Sequence, residues 1–240
     1  MRALLLAAGR GDRMRPLSDA TAKPLLSAGG RRLIEWQIEA LARAGVREIV
    51  VNTAHLARQV EDTLGDGSRY GTRLVYSREG ERAEDALETL GGIVKALPLL
   101  GASPFIAASS DILTDFDYST LAQPLAAVAR GDADAHLVLV DNPPFHAAGD
   151  MGLEDGRIRM QPPCLTYGNI GIFSPALFAG LRPERAKLFP WLFGFVAQGR
   201  VTGEHFRGRW HNVGTPAELG ALDAELSAAG APAPVAPGAG

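Results

Sequence analysis

Three short apolar runs, at residues 3–7, 48–52 and 136–140, constrain this chain more than any other feature. Each is apolar at successive positions and too short for a buried helix, which is the pattern of a strand covered on both faces. Between the first two, Leu33, Trp36, Gln37, Ala40, Leu41 and Ala44 recur at helical spacing, and Gly45 follows as a stop signal. Strand, long loop, helix and strand in that order make a parallel crossover unit, which needs helices on the sheet faces.

The alternation continues along the chain. A helix is expected over 54–64, with Leu56, Val60 and Leu64 on one face and Gly65-Asp66-Gly67 at its end. Residues 73–76 read as a strand and 91–97 as a short helix. A strand at 104–108 runs into Ser109-Ser110-Asp111, and a helix at 121–129 feeds the 136–140 strand. The expected fold is an open, doubly wound, mostly parallel α/β sheet of Rossmann-like type. After Asp141 the pattern changes. Prolines 143, 144, 162 and 163 and glycines 149, 152 and 156 punctuate polar segments, and Glu154-Asp155-Gly156-Arg157 reads as a hairpin turn. A small irregular lobe is expected over 142–170, then a strand at 167–173, a helical stretch over 186–197 and a final helix over 216–226. Residues 1–226 would form one domain. Residues 227–240 are an Ala/Pro/Gly run without a large apolar residue, expected to be a disordered tail.

Composition excludes several function classes. With 24 Lys+Arg against 27 Asp+Glu, the net charge of -3 leaves no basic excess for a nucleic-acid backbone. The single Cys164 excludes a disulfide framework and a cysteine-built zinc site, and fits a reducing compartment. No apolar run approaches the ~20 residues that span a bilayer. The first apolar stretch runs directly into Gly9-Arg10-Gly11-Asp12-Arg13, so it reads as a strand of a cytoplasmic protein rather than a secretory signal. The expected molecule is a monomer or small homo-oligomer with small-molecule partners.

The segment from Ala7 to Leu26, AAGRGDRMRPLSDATAKPLL, carries the chemistry. Gly9 and Gly11 follow a strand, so the backbone turns sharply and aims its N–H groups at an anion without side-chain obstruction. Arg13, Arg15 and Lys23 bring positive charge to the same loop. The dinucleotide fingerprint would need a third glycine opening a helix at once, and Pro16 interrupts instead; the P-loop would need Gly-Lys-Ser/Thr. By its residues alone the segment is either a phosphate loop or a solvated basic loop.

The same segment resembles the signature of sugar-1-phosphate nucleotidyltransferases, A-A-G-x-G-x-R-[ML]-x-P-L-[ST]-x-x-x-P-K-P-L, with Ala22 where that family has proline. Further stretches are similar to the uridylyltransferase branch that acts on N-acetylmuramate 1-phosphate: Asn52 with His55-Leu56, residues 65–71, 87–93, 95–101 and 137–143, Gly203-Glu204-His205 and 210–216. The resemblance implies a GT-A-like nucleotidyltransferase that joins UTP to a sugar 1-phosphate in peptidoglycan recycling, with Mg²⁺ as cofactor. The runners-up are a mannose or glucose 1-phosphate enzyme and a non-catalytic nucleotide-sensing relative.

It also implies residue roles. The nucleotide would lie along Ala8, Gly9, Gly11, Asp12 and Arg13, with Lys23 near the reacting phosphate and Arg13, Lys23 and Asp111 catalytic. The base would meet Glu88, Gly91, Gly92 and Ser109. A phosphate monoester is already a nucleophile at neutral pH, so no general base is required. Asp111 and Asn212 would hold the metal. Ser109-Ser110-Asp111 replaces the branch's Asn-Gly-Asp, and Asn212 stands where the family's W-x-D-V-G-T has aspartate. Ala22 is expected to loosen the approach to Lys23. Read from residue type alone, Asp111 could equally cap a turn, Gly91-Gly92 could open a helix, and Asn212 could satisfy backbone beside Gly214. Candidates for the sugar phosphate are Asp141, Asp150, Glu154, Asn169 and Lys187. The chain has only three lysines against 21 arginines, and two of them, Lys23 and Lys187, fall at motif positions. Trp191, Trp210 and Phe189 read as core.

Overall fold

A computed structural model describes residues 1–228. The first apolar run becomes β1 (Arg2–Leu6), which sends Ala3 and Leu5 into one apolar layer and Leu4 into another, all fully buried. Burial on both faces is what removes any polar alternation from its sequence. The long loop that follows contains one helical turn, α1 (Leu17–Ala20), and a small hairpin of β2 (Ser27–Ala28) and β3 (Arg31–Arg32). It delivers the chain to α2 (Leu33–Arg43), whose Ile34, Ile38 and Leu41 face the sheet.

The next units are β4 (Glu48–Thr53), α3 (Ala57–Leu64), β5 (Arg73–Arg78), α4 (Glu88–Leu100) and β6 (Phe105–Ser109). Helix α3 starts later than its spacing suggests because Leu56 takes a left-handed conformation at φ 55. Helix α4 is longer than expected at both ends. A short β7 (Ile112–Thr114) follows, then α5 (Ala122–Arg130) and β8 (Ala135–Val140), buried at every position.

Residues 142–170 do not form an irregular lobe. They supply β9 (Met151–Glu154), β10 (Arg157–Arg159) and the start of β11 (Cys164–Phe173), all of them strands of the main sheet. The β9–β10 turn is the expected two-residue hairpin, with Asp155 at φ 49 and Gly156 at φ 72. The expected helix over 186–197 divides into α6 (Leu188–Trp191) and α7 (Phe193–Ala197). Phe189 is extended (φ -102, ψ 139) because it precedes Pro190, whose ring crowds a helical neighbour. The chain ends with β12 (Val201–Phe206), β13 (Trp210–Asn212) and α8 (Pro216–Ala228). The tail expected at 227–240 lies outside the described residues beyond 228.

The sheet order is β5-β4-β1-β6-β11-β8-β12-β10-β9. Strands β5, β4, β1 and β6 are parallel, β11 inserts antiparallel between β6 and β8, and β12 returns parallel to β8. The α/β sheet expected is thus observed, but it is mixed: β11 runs reversed at its centre, and β10 pairs antiparallel with β12 and β9 at one edge. Helices α2, α3 and α5 cover one face, and α4, α6 and α7 the other. A third cluster joins Leu219, Leu222 and Leu226 of α8 to Met14, Leu26 and Leu33, clamping the long loop after β1 from outside.

Candidate active site

The loop after β1 is shaped by hydrogen bonds that begin in β4. Asn52 Oδ1 accepts from the backbone N–H groups of Ala7 and Ala8, at 2.6 and 3.2 Å. Its Nδ2 donates to Glu79 Oε1 at 2.6 Å, and Glu79 Oε2 accepts from the Leu87 N–H at 2.6 Å. A buried polar relay therefore ties the glycine loop to the start of α4. Burial raises the Glu79 pKa, against the two donors that lower it. Glu79 escaped the sequence reading; the signal for Asn52 was a polar residue closing an otherwise apolar strand.

Gly11 sits at φ +68, and a Cβ there would press on Ser18, whose hydroxyl donates to the Gly11 carbonyl at 2.8 Å. Gly9 faces open space. Asp12 pairs with Arg10 and Arg15, and Arg15 also with Asp19. Arg13 forms no ion pair among the described residues and lies against Gly214, where an added Cβ would come within 3.3 Å of its guanidinium.

Ala22 is buried, and its N–H donates to Gln59 Oε1 at 2.6 Å while Gln59 Nε2 donates to the Ala20 carbonyl. Proline there would lack that N–H, so the departure at Ala22 tethers the approach to Lys23 rather than loosening it. Lys23 Nζ donates to Asp111 Oδ2 in a close ion pair of two largely buried side chains. Asp111 follows β6 and precedes β7, so it caps no helix. Strand β13 pairs with β7 in the register Asn212↔Ile112, and the Val213 N–H donates to the Asp111 carbonyl at 2.9 Å. That ladder brings Asp111 and Asn212 together. The Gly214 N–H donates to Glu218 at 2.7 Å, so Asn212 is not needed there, and its side chain makes no hydrogen bond among the described residues.

Three adjoining hollows run along the carboxyl ends of the strands, the usual ligand side of such sheets. One of about 370 Å³ is walled by Gly9, Gly11, Asp12, Arg13, Lys23, Ser110 and Asp111. The next, about 180 Å³, is walled by Ala8, Gly9, Asn52, Glu79, Glu88, Thr89, Ser109 and Asp111. The third, about 430 Å³, is walled by Glu88, Ser109, His146, Asp150, Tyr167, Asn169, Lys187, Phe189, Trp210 and Asn212. Gly9 and Asp111 are shared by the first two, and Glu88, Thr89 and Ser109 by the last two.

The glycine pair stands behind the wall rather than in it. A Cβ on Gly91 would collide with the Glu184 carbonyl, and one on Gly92 with Glu79 and Asn52. The smallness of Gly92 leaves room for the Glu79–Asn52 relay, and that of Gly91 lets residues 184–186 dock on α4: the Leu90 and Gly91 N–H groups donate to the Ala186 carbonyl and the Ala186 N–H to Leu87. Arg185 also pairs with Glu88 at 3.2 Å, and Lys187 follows directly at the cavity. Glu88 holds a left-handed φ of 61 at the junction of two hollows, a strained conformation of the kind retained at functional sites.

The sugar-phosphate candidates separate. Lys187, Asn169 and Asp150 reach the third hollow, Asn169 through a bulge in β11 at φ 58 that re-aims its side chain. Asp141 is 72% exposed and pairs with His205, and Glu154 is 69% exposed and pairs with Arg159 at the sheet edge. Neither lines these hollows. Phe189 and Trp210, read as core, are half-buried cavity walls, with Trp210 Nε1 donating to the Gly168 carbonyl at 2.9 Å. Trp191 does pack internally, stacked on Phe178.

The nucleotidyl transferase family profile matches residues 2–158. The chain belongs to the nucleotidyl transferase family. Within that family it is 46% identical, over 91% of its length and 95% of the relative's, to N-acetylmuramate alpha-1-phosphate uridylyltransferase of Neisseria meningitidis. Identity to the enzyme of that name from Caulobacter vibrioides is 34%, over 95% of the chain and 97% of the relative. The mannose-1-phosphate guanylyltransferase catalytic subunit beta of Drosophila pseudoobscura is 36% identical over 91% of the chain and 60% of that protein. HddC from Yersinia pseudotuberculosis, solved with GMP-PN, shares the fold with a TM-score of 0.76 at 18% identity, covering 94% of the chain and 99% of HddC. This nucleotidyl transferase is an enzyme by its family, and no helix among the described residues is long and apolar enough to cross a membrane.

Proposed function

We propose that this nucleotidyl transferase transfers UMP from UTP to N-acetylmuramate 1-phosphate, giving UDP-N-acetylmuramate and pyrophosphate. The observation that carries the reading is the Lys23–Asp111 pair on the wall of a basic, glycine-lined hollow, which adjoins a small hollow that in turn adjoins a larger one bearing Lys187, in a chain 46% identical to an enzyme of that name. The triphosphate suits the Gly9–Gly11 loop with Arg13, the uracil the small hollow at Ala8 and Thr89, and the sugar phosphate the third hollow. A sugar phosphate oxygen attacks the α-phosphorus, forming the new P–O bond as the bond to the β-phosphate bridge breaks and pyrophosphate leaves. The chain's part is positioning and charge neutralisation. Lys23 and Arg13 offset phosphate charge, and Lys187 holds the nucleophile in place as a mobile point charge.

Among the described residues there is no group of three or more His, Cys, Asp or Glu that could hold a metal. Magnesium typically takes one or two protein oxygens and fills the rest of its shell with water and substrate phosphate, so the Asp111 carboxylate and Asn212 carbonyl fit it. When bound it would neutralise phosphate charge. With one charge between them, the two residues depend on the nucleotide to complete the site. A cytoplasmic location follows from these substrates.

Pyrophosphate release from each nucleoside triphosphate with a panel of sugar 1-phosphates tests the reading. Release confined to UTP with N-acetylmuramate 1-phosphate is expected. Release with mannose or glucose 1-phosphate instead would reassign the substrate, and nucleotide binding without release would make the chain a sensor.

A further inference from the structure

The substrate proposed above has a feature that glucose and mannose 1-phosphates lack. N-acetylmuramate 1-phosphate carries two separate anionic groups, the C1 phosphate and the carboxylate of the lactyl ether on O3. The third hollow has two side chains that can be cationic on its wall, Lys187 and His146, and they come from different elements. Lys187 leads into α6, while His146 lies in the 3₁₀ turn Pro144–His146 after β8.

The turn is built to present that imidazole. Pro143 and Pro144 stiffen it, and the His146 N–H donates to the Pro143 carbonyl at 2.8 Å. Asn142 Nδ2 donates to the Ala147 and Cys164 carbonyls, holding the turn against β11. Asp150 fixes the ring itself: its Oδ1 is 2.9 Å from His146 Nε2, and its Oδ2 accepts the Tyr167 N–H at 2.8 Å. Both Asp150 oxygens are thus engaged within the protein, which leaves it orienting the histidine rather than binding sugar. His146 Nδ1 makes no hydrogen bond among the described residues. In the imidazolium form it is an N–H donor, matched to a carboxylate.

Resting on the proposed function, we infer that His146, oriented by Asp150, receives the lactyl carboxylate and selects the sugar 1-phosphate that bears this carboxylate over the counterpart that lacks it. Phe145 beside it, 62% exposed on the same wall, offers an apolar face to the ring or the lactyl methyl. Lys187 is left for the 1-phosphate, which both sugars share.

The test compares kcat/KM for N-acetylmuramate 1-phosphate and N-acetylglucosamine 1-phosphate, which differ only in the lactyl group, with UTP in each case. Loss of a charge-assisted hydrogen bond should cut the muramate preference by roughly tenfold or more in His146→Gln, chiefly through KM. Asp150→Ala should move the same ratio in the same direction, whereas Lys187→Met should weaken both substrates together. An unaltered ratio in His146→Gln, or equal losses on both sugars, would overturn the assignment and leave the uridylyltransferase reading standing. Wild-type protein inactive on both sugars would overturn that reading and the inference with it.

Discussion

Lys23 and Asp111 stand 88 residues apart in the chain and share one close ion pair in the cleft wall. The pair holds a cation and an anion together in a partly desolvated place; in the proposed function phosphate and metal would each take one partner. Among the described residues neither side chain has a second ion-pair partner.

Lys23→Ala and Asp111→Ala are each expected to lower kcat by about 10²–10³-fold, the range for removing one preorganised charge from a transition state. Circular dichroism should stay native, because neither side chain belongs to an apolar cluster. Near wild-type turnover in either variant would remove the pair from the chemistry.

Asn212→Asp adds a second carboxylate next to Asp111 and should tighten Mg²⁺ binding to the nucleotide-free protein about tenfold, because Mg²⁺ prefers charged oxygens. Titration calorimetry measures it. Equal affinity in the two proteins would mean that position 212 is not a ligand.

Gly91→Ala forces a methyl group into the Glu184 carbonyl and should push residues 184–187 off α4. A cost of about 1–3 kcal/mol in stability is expected from overpacking. In steady-state kinetics the KM for sugar phosphate should rise with Lys187 displaced, more than the KM for UTP. A larger effect on UTP would mean that Gly91 serves the base after all.

Glu79 supplies a pH prediction. Its pKa is raised above the usual 4.5, so the folded state holds the proton more tightly than the unfolded chain. The contribution to stability is then present below 4.5 and is lost as pH rises through the folded pKa. Glu79→Gln cannot titrate and sets an amide N–H against the donor of Asn52 or Leu87, costing about 1–3 kcal/mol. The gap in Tm between wild type and Glu79→Gln should therefore narrow as pH rises from about 4 to 7. A gap that widens would show the two N–H donors outweighing burial.

The site was legible where local backbone chemistry makes the residue type informative. Gly9, Gly11, Arg13 and Lys23 sit in one continuous loop and line one hollow. Asp111 was legible because a strand end points at the ligand side. Asp141 and Glu154 lie outside the hollows although each is an acidic residue at a strand end: Asp141 is exposed and pairs with the sequence-distant His205, and Glu154 is exposed and pairs with Arg159 across the edge hairpin. Gly91 and Gly92 were noticed for the right property, smallness, and given the wrong neighbour. His146 and Glu79 carry no local signature.

By itself the sequence determined the parallel strands of the α/β core and the glycine turn of the loop after β1, because strand burial, helical period and glycine turns are properties of neighbouring residues. Only the tertiary structure decided that β11 runs backwards between β6 and β8, that 142–170 joins the sheet, and that Asn212 meets Asp111 across a ladder joining two distant segments. Strand pairing and ion pairing between segments are set by how separate elements pack, and no window along the chain contains that information.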